Sequence, residues 1–137
     1  MKRYKIIHLD DHKLITDSIR DYLLRNLQDV YYIGFNDSWE AFRYLVNSIE
    51  KNEPIDMFIT DYAHTGLDGY QFSKAIRQLE GLLNRDPIKI LLLTMYGDTL
   101  PAIKRGLNDK TFNWYLSLNS NPTELIDCVK SGLIARW

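Results

Sequence analysis

Three aspartates stand where short apolar runs stop: Asp10 and Asp11 after residues 4–9, and Asp61 after residues 57–60. Met57, Phe58, Ile59 and Thr60 read as a strand buried on both faces, and it ends on a carboxylate. Gly66 and Gly69 follow in a turn-rich segment, so Asp61 falls where strand gives way to loop. In open α/β sheets, ligands and chemistry collect at that position, outside the carboxyl ends of the strands. A lone aspartate there is also compatible with a turn cap, and Asp11 with a helix N-cap. Two acid-terminated strands in one chain favour a shared site. Carboxylates converging on one sheet edge repel each other and raise each other's pKa unless a cation is present.

The elements that must position these acids follow from periodicity. Residues 4–9 form the first strand, with Ile6, Ile7 and Leu9 as its apolar body, and Asp10, Asp11 and His12 open a helix. Leu14, Ile15, Ile19, Tyr22, Leu23 and Leu27 recur at helical spacing as its buried stripe. Residues 30–35, β-branched and aromatic, make a second strand. Asn36, Asp37 and Ser38 offer N-cap oxygens to a helix that buries Ala41, Phe42, Leu45 and Ile49. Behind Asp61, the Gly66-Leu67-Asp68-Gly69 turn leads into a third helix marked by Phe72, Ile76, Leu79 and Leu83. Gly69 is expected to admit a backbone geometry that other residues resist.

Asn84 to Pro87 stops the third helix. Residues 88–94 are the most hydrophobic strand, as expected near the centre of a sheet, and Pro101 opens a short helix over 101–107. A fifth strand covers 112–116. Asn121, Pro122 and Glu124 have the spacing of a capping box, and Leu125, Ile126, Val129 and Leu133 make the last helix amphipathic, with Gly132 near its end. Five strands alternating with five helices argue for a parallel sheet with helices on both faces. Residues 1–137 read as one domain, with no repeat and no linker.

Composition bounds the function. A chain of 137 residues with 45% hydrophobic and 12% aromatic residues can bury a core. Its net charge of -1 offers no global attraction to nucleic acid. The single cysteine, Cys128, excludes an internal disulfide and suits a reducing compartment, where it is read as a small helix residue of no chemical consequence. No run is long and apolar enough to span a bilayer, and the N-terminus lacks the apolar core of a signal peptide. A soluble cytoplasmic domain is expected.

With these residues in place, the chain resembles the receiver domain of two-component response regulators over nearly its whole length. The likeness rests on Asp10 and Asp11 after strand one, Asp61 after strand three, the Gly66-Leu67-Asp68-Gly69 turn, Thr94 after strand four and Tyr115 in strand five. The opening Asp10 to Leu14 is similar to receivers that carry a helix-turn-helix output module. The resemblance implies a bacterial phosphorelay protein with a flavodoxin-like, doubly wound (βα)5 three-layer fold and strand order 2-1-3-4-5. It implies Asp61 as the phospho-acceptor, and Mg²⁺ held by Asp10, Asp11, Asp61 and the backbone carbonyl of Ala63. Thr94 would hydrogen-bond the phosphoryl group, and Tyr115 would turn inward as the switch aromatic. The implied partners are a sensor histidine kinase or phosphotransfer protein, an output domain or protein partner, and a second copy through the face holding Trp114 and Tyr115. Such a domain is not an enzyme beyond assisting its own phosphorylation and dephosphorylation.

Three positions depart from that family. The lysine that ends strand five is replaced by Leu118, which cannot offset a phosphoryl charge. Met95 stands where a very small residue is usual, and His64 and Thr65 replace an apolar residue and proline. A lost sensing half opens a second reading, an interaction module that works irrespective of phosphorylation. An aspartyl phosphohydrolase is disfavoured by Ala63, two residues after Asp61, where such enzymes place an acid. A flavin-binding protein is disfavoured by the lack of a Ser/Thr/Gly-rich phosphate loop after strand one.

Overall fold

The computed structural model describes residues 3–63, 66–97 and 99–134. Strands and helices alternate: β1 (Tyr4–Leu9), α1 (Lys13–Asn26), β2 (Val30–Phe35), α2 (Ser38–Glu50), β3 (Met57–Thr60), α3 (Gly69–Leu83), β4 (Ile90–Thr94), α4 (Pro101–Asn108), β5 (Trp114–Ser117) and α5 (Pro122–Ile134). All four strand pairings are parallel, in the order β2-β1-β3-β4-β5. This is the flavodoxin-like doubly wound (βα)5 arrangement expected from the sequence.

The sheet divides the core in two. Ile7, Leu9, Phe58, Ile90 and Leu92 point to one side, where they meet Ala41 and Leu45 of α2, Phe72 and Ile76 of α3, and Ile103 of α4. Ile6, Met57, Ile59, Leu91 and Leu93 point to the other, where they meet Leu23 of α1 and Leu125, Ile126, Val129 and Leu133 of α5. Successive strand residues thus serve opposite layers, the two-residue period of a pleated sheet. Every residue of β3 and β4 is buried, which explains why neither strand shows a polar face in sequence. Phe58 stacks on Phe72 with ring centroids 5.2 Å apart, and truncating either to alanine costs about 3–5 kcal/mol.

Several local expectations are corrected. β4 begins at Ile90, not residue 88, and β5 runs over Trp114–Ser117 rather than 112–116. Phe112 is held out of the sheet because its N–H donates to the Gly106 carbonyl in α4 and its ring packs on Gly106, where a Cβ would lie 2.4 Å away. Leu14 belongs to the periodic stripe of α1 yet is 80% exposed. The N-cap of α1 is His12, not Asp11. Gly132 lies two residues before Ile134, the last described residue of α5, and it is also a close-packing site against Met57 and Trp114. At the start of α5, Asn121 Oδ1 accepts the Thr123 N–H at 3.1 Å, two residues on rather than the three of a capping box.

Gly69 carries no left-handed backbone; that conformation belongs to Gly66, at φ 96°. Gly69 is required by proximity instead. A Cβ there would lie 2.5 Å from the Asp61 carbonyl oxygen and 2.9 Å from Tyr62 Cα. The reciprocal capping box sits one residue earlier, between Asp68 and Gln71, and seats the N-terminus of α3 against the end of β3.

Candidate functional site

The acids are positioned by backbone bonds that continue the sheet past its strands. Asp10 N–H donates to the Phe35 carbonyl at 3.1 Å, Asp61 N–H to the Leu9 carbonyl at 3.1 Å, and Leu118 N–H to the Thr94 carbonyl at 3.0 Å. Asp10 and Asp61 therefore leave adjacent strands, β1 and β3, at the same edge. Both are buried, at 0% and 7% exposure, while Asp11 is half-buried. The Thr60 hydroxyl donates to the Asp61 carbonyl at 2.9 Å, and Asp61 Oδ1 accepts the Tyr62 N–H at 2.6 Å.

Asp10 is engaged through one of its two oxygens. Its Oδ1 accepts the His12 backbone N–H at 2.9 Å and faces His12 Nδ1 at 3.0 Å. Its Oδ2 is buried with no partner among the described residues. Burial raises the Asp10 pKa, and the Asp61 charge raises it further, against the His12 hydrogen bonds that lower it. In return, Asp10 raises the pKa of the exposed His12 imidazole.

A polar network lies behind this acid. His8, fully buried in β1, has Nδ1 2.6 Å from the Tyr32 hydroxyl, which donates its single proton to the Thr16 carbonyl at 2.9 Å. Nε2, at the other side of the ring, is buried and has no partner among the described residues. Burial holds the His8 pKa down to about 3, so the ring is neutral. The Asn36 amide donates to the Asp10 carbonyl at 2.8 Å and to Thr16 Oγ1 at 3.0 Å, tying the end of β1 to α1. His12, His8 and Asn36 were not among the residues expected to shape the site. A histidine inside an otherwise apolar strand was the available signal for His8.

The remaining expected residues divide between the two faces. Thr94 is fully buried at the end of β4, and its Oγ1 accepts the Tyr96 N–H at 3.3 Å while keeping a proton to donate. Tyr115 is half-buried against the α2–α3–α4 layer, and its hydroxyl donates to the Tyr96 carbonyl at 2.7 Å. Leu118 packs instead into the α1–α5 layer, where it lines a groove of about 230 Å³ with Ile19, Tyr22, Leu93 and Leu125. Met95 is 60% exposed. Ala63 is half-buried beside Tyr62, and His64 and Thr65 lie outside the described residues. Cys128 is far from nucleophilic, its thiol pushed up to about 11 by burial.

Among the described residues, no three His, Cys, Asp or Glu side chains are gathered closely enough to hold a metal ion by themselves. The unpartnered Oδ2 of Asp10, in the field of Asp61, is nevertheless a donor in need of positive charge. That donor set fits a hard divalent cation that completes its shell from backbone carbonyl and water, the usual habit of Mg²⁺. No helix among the described residues is long and apolar enough to cross a membrane.

No protein-family model and no curated protein sequence matches this chain. Solved structures do. The signal receiver domain of an HD domain-containing protein from Pseudomonas fluorescens superposes with TM-score 0.79 at 21% identity, covering 98% of this chain and 90% of that one. A response regulator receiver domain protein from Clostridium thermocellum gives 0.77 at 21% identity over 97% and 96% of the two chains. The receiver domain of the response regulator NarL from Mycobacterium tuberculosis gives 0.72 at 23% over 95% and 98%. At these identities the shared property is architecture, and it extends over almost the whole of each chain. The protein has the fold of response regulator receiver domains.

Proposed function

We propose that this chain is a phospho-acceptor signalling domain in which Asp61 takes a phosphoryl group from a sensor histidine kinase or a phosphotransfer protein. The observation that carries the reading is a pair of buried carboxylates, Asp10 and Asp61, on adjacent strand ends of a receiver fold, with one Asp10 oxygen lacking a partner among the described residues. An oxygen of Asp61 attacks phosphorus in line; as the new P–O bond forms, the P–N bond of a phosphohistidine breaks and its electron pair stays with the imidazole. Mg²⁺, held by Asp10, Asp11, Asp61 and the Ala63 carbonyl, would neutralise charge on the phosphoryl oxygens. Thr94, buried at the end of β4, donates its hydroxyl proton to a phosphoryl oxygen. Tyr115 reports the change on the face formed by α4, β5 and α5, where an output domain, a protein partner or a second copy would bind. The setting is the cytoplasm, and the domain turns over nothing beyond its own phosphoryl group.

Intact mass after incubation with acetyl phosphate and Mg²⁺ tests the reading. A phosphate-sized gain that Asp61→Asn abolishes is the expected result; no gain removes the proposal. A second reading, a docking module indifferent to phosphate, rests on Leu118, an aliphatic side chain after β5 that packs into the α1–α5 apolar layer. It predicts no mass gain.

A further inference from the structure

The end of β5 reaches the acceptor loop by a route that does not use position 118. Tyr62, the residue after Asp61, is fixed at both of its peptide groups. Its N–H donates to Asp61 Oδ1 at 2.6 Å, and its carbonyl accepts the Gly69 N–H at 2.6 Å, from the first residue of α3. Its ring meets the ring of Tyr96 edge-on, with centroids 5.7 Å apart and planes at 67°. Tyr96 in turn is held from both sides of its backbone, its N–H by Thr94 Oγ1 at 3.3 Å and its carbonyl by the Tyr115 hydroxyl at 2.7 Å. Tyr62 and Tyr115 pack on the same apolar layer, whereas Leu118 belongs to the other.

We propose that Tyr62 and Tyr96 are positioning residues, an aromatic clasp that ties the Asp61 carboxylate to the Tyr115 side chain. Tyr96 is 48% exposed, so its ring contact is not needed to fill the core. A movement of the acceptor loop that shifts Tyr62 must part the two rings or carry Tyr96 with it. Carrying Tyr96 strains the hydrogen bond from Tyr115, or moves Tyr115. The Tyr96 amide sits beside Thr94 Oγ1, so the same displacement is felt at the residue that would donate to a phosphoryl oxygen. Aromatic edge contacts of this kind are worth enough to couple two loops and too little to lock them. The link contains no ion pair, which suits an edge that has no cation in β5.

The inference rests on Asp61 being the acceptor, but the clasp itself is tested without ligand. Amide hydrogen exchange at Tyr96 is compared in wild type, Tyr62→Leu, Tyr115→Phe and the double variant. Each single change is expected to speed exchange there at least about threefold, and the double variant to be no faster than the faster single, because both act on one cooperative unit. Tyr62→Phe, which keeps the ring, should exchange as wild type does. Unchanged exchange in Tyr62→Leu, or effects that multiply, would overturn the clasp. The regulatory half is read from the Trp114 indole NMR signal, next to Tyr115, on adding Mg²⁺ with beryllofluoride as a phosphoryl stand-in. A response kept by Tyr62→Phe and lost by Tyr62→Leu supports the coupling; both kept, or both lost, refutes it. A wild type that neither gains phosphate nor responds refutes the coupling together with the acceptor role, while the exchange cycle still decides the clasp.

Discussion

Two carboxylates of this protein are almost equally buried and are treated in opposite ways. Glu80, 3% exposed near the amino edge of the sheet, is complete: Oε1 accepts from Arg77 Nη1 at 2.9 Å and Oε2 from the Ile88 N–H at 2.7 Å. Asp10, 0% exposed at the carboxyl edge, has His12 on one oxygen and no partner among the described residues on the other. The neighbourhoods repeat the difference. At the amino edge Asp56 Oδ2 accepts the Lys5 N–H at 2.8 Å, and Arg85 caps the last carbonyls of α2 at Ile49 and Glu50. Towards the carboxyl edge, His8 Nε2 and Asp10 Oδ2 are buried without a partner among the described residues, with exposed Leu14, Met95 and Tyr96 around the rim. A buried polar group with every valence met contributes to holding the fold; one left short costs free energy that a bound ion, ligand or water can recover.

The largest effect that could break this comparison is on the structural side. Arg77→Ala leaves Glu80 buried without its cation and removes the bonds to the Ile88 carbonyl and Asn113, so urea denaturation should show a loss of about 3–5 kcal/mol. A loss below about 1 kcal/mol would mean that the amino edge is no more complete than the other.

Next comes acid. His8 has a folded pKa of about 3, below the ordinary 6.5, so the stability held by its neutral form is present above 6.5 and lost as pH falls toward 3. Between pH 7 and pH 4 that amounts to about 3 kcal/mol, and His8→Leu should flatten this part of the stability profile. A variant with the wild-type slope would place the acid sensitivity elsewhere.

Smaller again are the two close-packed glycines. Gly69→Ala meets backbone, the Asp61 carbonyl, and should cost about 1–3 kcal/mol together with much of any phosphate uptake at Asp61. Gly132→Ala meets first the flexible end of Met57, so its cost in the same melt should be lower and uptake unaffected. The reverse order would break the link between the start of α3 and the acceptor.

The smallest effect sharpens the comparison most. Asp10 has a folded pKa above its unfolded value, so its contribution is full below the ordinary carboxylate range and is lost as pH rises through the folded pKa. Asp10→Asn should therefore match or exceed wild-type stability at pH 7, with the gap closing in acid, where Arg77→Ala remains destabilising. Added Mg²⁺ should raise the wild-type melting temperature and leave the variant unmoved.

Strand and helix order was legible because burial imposes simple periods. The unbroken apolar runs of β3 and β4 fit short strands covered on both faces, and Asp61 marked where the first of them ended. Asp10 was legible for the same reason, as a residue that closes an apolar run, whereas Thr94 and Tyr115 stood out only through the resemblance to receiver domains. Less legible was everything set by contact between distant segments. Phe112 looks like strand but is withdrawn by Gly106, and Leu14 fits the α1 stripe but is exposed. Gly69 and Gly132 were expected to serve backbone conformation or helix termination, and both are places where another segment comes too close for a Cβ.

The sequence by itself determined the alternation, the parallel sheet and which acids would stand at its carboxyl edge, because each follows from local pattern and from the rule that apolar stretches must be covered. Tertiary structure decided how those acids are treated. That His12 engages one oxygen of Asp10 and leaves the other unpartnered, that Tyr62 reaches Tyr96, and that Leu118 turns to the α1–α5 layer away from Tyr115, are consequences of which side chains fold against which. Hydrogen bonds and ring contacts act over a few ångströms, and only the folded chain brings residues so far apart in sequence within that range.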